Sequence, residues 1–297
     1  MPAVVWDHCP ERINGQDHGP ILRYISFYRS PKRIDCFPIM NVIELSWKQI
    51  QSLDRDTPVV FPIAAIEQHG HHLPVSTDSL LLEEVVRRVS ERMSTNVLFA
   101  PLMWLGNSHH HLDFNGTLSA APRTYLDLLV GLAENMLHHG FRRIVFLNGH
   151  GGNDVPGRQA IFELRQIHRK RQDLLLLLGT YWALPSPLEK MKSDGMPELT
   201  FQQTEMGHAC EWETSMVMRV APQLVGDYQS AQPVPHGKGF EPGNRGWVTQ
   251  DRSTIGYIGW PHLASVEKGE ALFQRFSNDV THWLQRAVDW NGSSWDG

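Results

Sequence analysis

Glu67, His69, His71, His72 and Asp78, all side chains that bind metal ions, crowd into one stretch directly after Pro58–Ile66, an apolar run of strand length. If extended backbone continues past Ile66, side chains two apart share a face, so Glu67 and His69 point into one space. Gly70 lets the chain turn, and Leu73-Pro74 stiffens a return that brings Asp78 back to them. Two carboxylates and an imidazole suit a borderline or hard divalent ion such as zinc, manganese or iron. An exposed histidine-rich loop is the bland alternative. The concentration of ligand types at a strand end favours the metal site.

Other stretches add to the set. Asn148-Gly-His-Gly-Gly-Asn153 sits between an apolar strand and a helical pattern, but its spacing matches neither the dinucleotide fingerprint nor the phosphate loop. His150 among small residues reads instead as a ligand that needs close backbone approach. In Gly207–Ser215, a helix would put Glu211 on the face of His208, three residues earlier, with an acid at a helix start as the alternative for Glu211. His109, His110 and His111 are adjacent, and successive residues on a strand point opposite ways, so they read as solvated or pocket-lining. Cys210 has no evident partner for covalent catalysis.

The elements that must position these groups alternate. Strands are expected at 58–66, 97–103, 144–147 and 174–180, and helices at 47–53 with Ser46 as cap, 78–93 with Asp78 or Ser79 near its start, 123–139 ending at Gly140, 155–171 and 265–290. Such alternation predicts an α/β fold with a mostly parallel sheet and ligands gathered at the carboxyl ends of its strands. Residues 1–40 show no sustained period and read as an irregular extension, leaving 41–297 as one catalytic domain. Residues 185–203, rich in Pro, Ser, Lys and Asp, read as a surface excursion or lid, and 225–251 as loop.

A formal net charge of −5 with no basic block argues against nucleic acid as partner. Three cysteines without a CxxC pair suggest neither a disulfide framework nor a thiolate zinc site, and fit a reduced cytoplasm. No apolar run is long enough for a membrane span or a signal peptide, so a soluble, cytoplasmic protein without a membrane partner is expected.

Taken together, Glu67-Gln-His-Gly-His-His-Leu-Pro with Asp78, Gly116-Thr-Leu-Ser119, Asn148–Asn153, Gly207–Ser215, and Gly256-Tyr-Ile-Gly-Trp-Pro with Glu267–Leu272 resemble the creatininase family of metal-dependent amidohydrolases. The resemblance implies a three-layer α/β/α sandwich, two divalent ions per chain (zinc and/or manganese, with iron as a further option), a small-molecule amide substrate, and a homo-oligomer, commonly a hexamer. It implies Glu67 and His150 as ligands of one ion, His69 of the other, and Asp78 as the bridging carboxylate. His208 matches a histidine that protonates the leaving nitrogen, while Trp182 and Ser108 match substrate-pocket residues. Creatininase proper has a glutamate two residues after the histidine of the Asn-Gly-His motif, where this chain has Gly152. Glu211, which matches an apolar residue there, is expected to complete the second ion's site, with Glu213 in a supporting role. The expected reaction is hydrolysis of a non-peptide C–N bond, in a cyclic amide or formamide. Creatinine hydrolysis proper and a silent or non-hydrolytic member are the alternatives.

Overall fold

The computed structural model describes residues 40–93, 96–184, 201–203, 205–237, 239–240 and 242–295. The expected extension thus lies outside the described residues except for Met40, as does most of the expected excursion at 185–203. Four strands, β1 (Val59–Ile63), β2 (Leu98–Phe99), β3 (Arg143–Asn148) and β4 (Leu175–Thr180), form a sheet in the order β2-β1-β3-β4. All pairs are parallel, with Val60 opposite Val145 and Leu147 opposite Gly179. Because the strands run the same way, the residues that follow Ile63, Asn148 and Thr180 leave the sheet at one edge.

Period-two alternation decides which layer each strand residue packs on. Val59, Phe61, Ile63, Ile144 and Phe146 join one apolar cluster with Tyr125, Leu129, Ala133 and Leu137, and with Ala160 and Leu164. These belong to α3 (Pro122–His138) and α4 (Asp154–Ile167), which follow α1 (Trp47–Gln51) and α2 (Thr77–Arg92) in the chain. Val60, Val145 and Leu147 face the other way, onto Leu81, Leu82, Val85 and Val89 of α2. Met216 and Val217 of α5 (Glu211–Val220) and Leu272, Phe273, Phe276 and Val280 of α6 (Val266–Asp289) complete that cluster. The result is the expected α/β/α sandwich, each fully buried aliphatic side chain contributing about 1.5–3 kcal/mol. Buried Arg143 ties the sheet to the far end of α6, donating to the carbonyls of Ala287 at 2.9 Å and Trp290 at 2.9 Å.

Some boundaries differ from the sequence reading for local reasons. Ser46 does cap α1, in a reciprocal box with Gln49. β2 shrinks to two residues because Pro101 has no N–H to donate, and the chain rejoins the sheet only through a bridge from Met103 to Ile63. Asp78 and Ser79 lie within the first turn of α2 and do not cap it. The Ser79 hydroxyl is engaged elsewhere, donating to Ala65 O at 2.9 Å.

Candidate metal centre

Past β1 the chain stays extended, with Ala64 N–H donating to Met103 O at 2.9 Å and Ile66 bridging Leu118. Gly70, at φ +63°, turns it, and His69 bridges Leu73 on the return. Glu67 N–H then donates to Val75 O at 2.9 Å, which closes the loop and delivers Asp78 in the first turn of α2. A carboxylate there is favoured by the helix dipole. Glu67, His69 and Asp78 are all buried.

Backbone carbonyls fix the histidine protons. A carbonyl only accepts, so the Nδ1–H of His69 donates to Glu67 O at 3.1 Å and leaves Nε2 to take either a second proton or a metal ion. That nitrogen stands 3.2 Å from Asp78 Oδ1 and 3.6 Å from Glu213 Oε1. His150 mirrors the arrangement: its Nε2–H donates to Asn107 O at 3.0 Å, and Nδ1 lies 2.9 Å from Asp78 Oδ2. Asn148, the last residue of β3, grips the His150 backbone from both sides, accepting from its N–H at 3.0 Å and donating to its carbonyl at 2.8 Å. Each oxygen of Asp78 therefore faces an imidazole nitrogen that holds a proton in the metal-free protein and offers its electron pair to a cation once that proton leaves.

Gly152 is demanded by packing. A Cβ there would stand 2.1 Å from Asn107 O and 2.5 Å from His150 Nε2. No side chain at this position could supply a ligand in the present backbone.

The stretch Gly207–Ser215 is not one helix. His208 pairs with Ile258 in a β-bridge, its N–H donating at 3.0 Å. Ala209 then takes a left-handed φ of +48°, and α5 begins only at Glu211. The three-residue spacing of His208 and Glu211 thus carries no shared face. Glu211 points away from the cluster: Oε1 pairs with Lys268 Nζ at 2.5 Å and Oε2 accepts from Gln202 N–H at 3.0 Å. Glu213, two residues on, is the acid that reaches His69. The Nε2–H of His208 donates to Gln68 O at 2.8 Å, which leaves Nδ1 bare, 3.5 Å from Glu67 Oε1. The His208 ring lies between those of His69 and His111, with centroids 4.3 Å away on each side.

Electrostatics bear the mark of crowding. Burial raises Glu67 to about 7 despite His150 and His69 nearby. Burial alone would lower His150, but the carboxylates of Glu67 and Asp78 outweigh it and hold the imidazole at about 9. His69 is likewise raised against burial by Asp78 and Glu213. Burial and the neighbouring His69 drive His208 well down. Burial pushes the Cys210 thiol up to about 12, so it is not a nucleophile.

The pocket residues expected at strand ends fare differently. Ser108 is fully buried with Oγ 3.2 Å from His150 Nε2, a place beside a ligand candidate rather than on an open wall. Trp182 packs edge-on against buried Tyr181 at 4.8 Å and on the apolar cluster of α2, α5 and α6. His111 is a member of the cluster that the sequence reading did not single out. His109–His111 form a short 3-10 turn, not a strand, and the turn sends His111 inward until Nε2 is 3.3 Å from Glu67 Oε1. Polar residues between two glycines, Gly106 and Gly116, were the one available signal of a turn.

Among the described residues, three groups place their ligand atoms within 4.8 Å of one another: Glu67, His69 and His208; Glu67, His110 and His150; and His69, Asp78 and Glu213. Glu67 Oε2, His69 Nε2 and Asp78 Oδ2 are buried without a hydrogen-bond partner. Orphaned oxygens and an imidazole nitrogen without a hydrogen-bond partner, all at one spot, fit divalent cations. The Creatininase family profile, described as creatinine amidohydrolase, matches residues 43–284. The chain belongs to the creatininase family.

Creatinine amidohydrolase of Pseudomonas putida is 29% identical over 61% of this chain and 72% of its own length. A mycofactocin precursor peptide peptidase of Mycobacterium ulcerans is 29% identical over 77% of this chain and 84% of its own. A manganese form of creatininase and a zinc–zinc form of a creatininase mutant superpose with TM-scores of 0.69, at 26% and 27% identity, each covering 84% of this chain and 98% of its own. Creatininase structures thus carry zinc or manganese, and this family member has clustered acids and histidines able to hold such ions.

Proposed function

We propose that the protein hydrolyses a non-peptide C–N bond, in a cyclic amide or a formamide, as a metal-dependent amidohydrolase. What supports this most is the pairing of two imidazole nitrogens, His69 Nε2 and His150 Nδ1, with the two oxygens of Asp78. One ion would be held by His69, Asp78 and Glu213, the other by Glu67, His150 and Asp78. In this reading Glu213 replaces Glu211 as the acid of the second site, because Glu211 is committed to Lys268. When bound, the ions would make water more acidic and polarise the scissile carbonyl.

The chain's own residues divide the remaining work. His208 is anchored through Nε2–H on Gln68 O, so Nδ1 is the atom that takes the proton released by the attacking water and passes it to the departing nitrogen. The flanking rings of His69 and His111 keep that atom aimed at Glu67. A buried, unprotonated imidazole suits the acceptor half of this cycle. Ser108 steadies His150, and Trp182 lines the substrate side.

A second reading is a peptide amide as substrate. It is favoured by one observation: the peptide-peptidase relative matches more of both chains than does the creatinine amidohydrolase. Creatinine itself is disfavoured by Gly152. The test is a hydrolysis screen of manganese- or zinc-loaded protein against creatinine, other cyclic amides, formamides and short peptides, with chelated protein as control. Chelator-sensitive turnover of cyclic amides or formamides is expected; turnover of peptides alone would replace this reading with the second, and silence with metal bound would refute both.

The reading includes a homo-oligomer, in keeping with the family resemblance and with Val155 and Phe162, which are 77% and 58% exposed two turns apart on α4. Light scattering of the full chain would check it.

A further inference from the structure

His111 has a fixed proton, and the chain of contacts that fixes it ends on Glu67. Gln68 Oε1 accepts from Gly70 N–H at 2.8 Å, and its Nε2 donates to Gly256 O at 2.8 Å. Each contact alone would settle which end of the amide is which, and they agree. One amide hydrogen is spent on Gly256. The other has two nitrogens in range, His208 Nε2 at 3.0 Å and His111 Nδ1 at 2.7 Å. His208 Nε2 already carries the hydrogen it donates to Gln68 O and cannot accept. The second amide hydrogen therefore goes to His111 Nδ1.

Thr249, fully buried in the 3-10 turn Thr249–Asp251, brings its hydroxyl to the same nitrogen at 2.8 Å. With Nδ1 an acceptor, the neutral His111 ring must carry its hydrogen on Nε2, and Nε2 faces Glu67 Oε1 at 3.3 Å. Two consequences follow. Nε2 has no free electron pair, so His111 is not a metal ligand although it stands among the ligands. And Glu67 Oε1 faces the His111 N–H at 3.3 Å, while Oε2, 3.3 Å from a His150 Nε2 whose hydrogen goes to Asn107 O, is left without a hydrogen bond.

We propose that His111 is a positioning residue: it holds Glu67 by Oε1 so that Oε2 is presented to a divalent cation beside His150, and its ring braces His208 from the side opposite His69. This rests on the two-ion reading above. Hydrogen bonds that orient a ligand are worth about 10–100-fold in metal affinity. The sequence offered no motif for this role, since its parts come from four separated stretches, at Gln68, His111, Thr249 and Gly256.

The test uses the zinc-loaded full chain. Zinc content is followed during titration with a chelator for wild type, His111→Phe, which keeps a ring against His208 but has no N–H, and His111→Gln, whose amide can reach Glu67 where Nε2 did. Wild type is expected to hold two ions, His111→Phe to release one of them at about 10–100-fold lower chelator concentration, and His111→Gln to recover most of that loss. Equal retention by wild type and His111→Phe would overturn the proposal, as would loss of both ions in His111→Phe and His111→Gln alike. Wild type that binds no zinc would instead refute the two-ion reading itself. A second measurement is independent of whether the variants fold: 15N spectra of histidine-labelled, zinc-loaded wild type should show His111 protonated at Nε2 and bare at Nδ1, and the reverse pattern would overturn the proposal.

Discussion

Two stretches supply acids and histidines to the same site, and they do so by opposite means. In Glu67–Asp78 the geometry is local: an extended chain puts Glu67 and His69 on one side, Gly70 at φ +63° turns the chain, and α2 returns Asp78 to them. In Gly207–Ser215 the geometry is imposed from outside. His208 is pulled into a bridge with Ile258, Ala209 is held left-handed, and His72, far back in the chain, donates from Nε2 to Ala209 O at 3.1 Å. Local geometry can be read from spacing, whereas geometry imposed at long range leaves spacing uninformative.

The widest test of this contrast is Asp78→Ala. If the first stretch is a self-contained ligand loop with Asp78 between both ions, the variant should lose both, measured as metal content after dialysis, and kcat/KM should fall by at least about 10³-fold, the scale of removing a principal electrostatic element. Retention of one ion would show that the loop's ligands do not converge on Asp78.

That distinction also sets how much was legible beforehand. The alternation of strands and helices, and strand ends that carry the acids and histidines, follow from periods of two and 3.6 residues, whereas the three layers were implied by the family resemblance; the structure has all of them. Glu67, His69 and His150 converge because each sits past a strand end whose direction the sheet dictates, and Asp78 joins them from the first turn of α2. The choice of Glu213 over Glu211 proposed above could not be made in the same way. The choice depends on where α5 starts, and that start is set by the bridge to Ile258 and by Lys268 on α6, both remote in sequence. His111 was hidden for a related reason: a strand and a 3-10 turn send adjacent side chains in different directions.

Glu213→Gln and Glu211→Gln sharpen the comparison inside the second stretch. Glu213→Gln should lose one ion and keep the other. Glu211→Gln should keep both, yet lower stability by about 2 kcal/mol in denaturant titration, because Lys268 loses its carboxylate. The cost falls below the roughly 3–5 kcal/mol of a fully buried pair since Lys268 retains 16% side-chain exposure. Loss of metal from Glu211→Gln with full metal in Glu213→Gln would reverse the assignment.

A smaller effect separates the two stretches by pH. In the metal-free protein His150 is held at about 9, above the ordinary value near 6.5, and His69 is raised in the same sense. A raised histidine contributes stability that is present below the unfolded value and lost as pH climbs through the folded one. Glu67, raised to about 7, also loses stability with rising pH, whereas His72 and His208, both lowered, act only below pH 6.5. Between pH 6.5 and 9 the metal-free protein should therefore lose Tm. Metal-loaded protein, whose ions displace those protons, should lose less, so that the gap in Tm widens with pH. A gap that narrows would mean that His69 and His150 are not the bases for which ions and protons compete.

The smallest effect concerns the left-handed residue in each stretch, glycine in the first and alanine in the second. A non-glycine residue held left-handed costs about 1–2 kcal/mol. Ala209→Gly removes that strain, but it also deletes a buried methyl worth about 0.8 kcal/mol and loosens the unfolded chain by about 0.4–1 kcal/mol. The terms nearly cancel, so the variant should lie within about 0.5 kcal/mol of wild type. Ala133→Gly, equally buried but inside helix α3, has no strain to release and should cost about 2 kcal/mol. Equal losses at the two positions in denaturant titration would mean that Ala209 stores no strain. The turn after His208 would then be a conformation the local sequence accepts freely rather than one that the bridge to Ile258 and the bond from His72 hold in place.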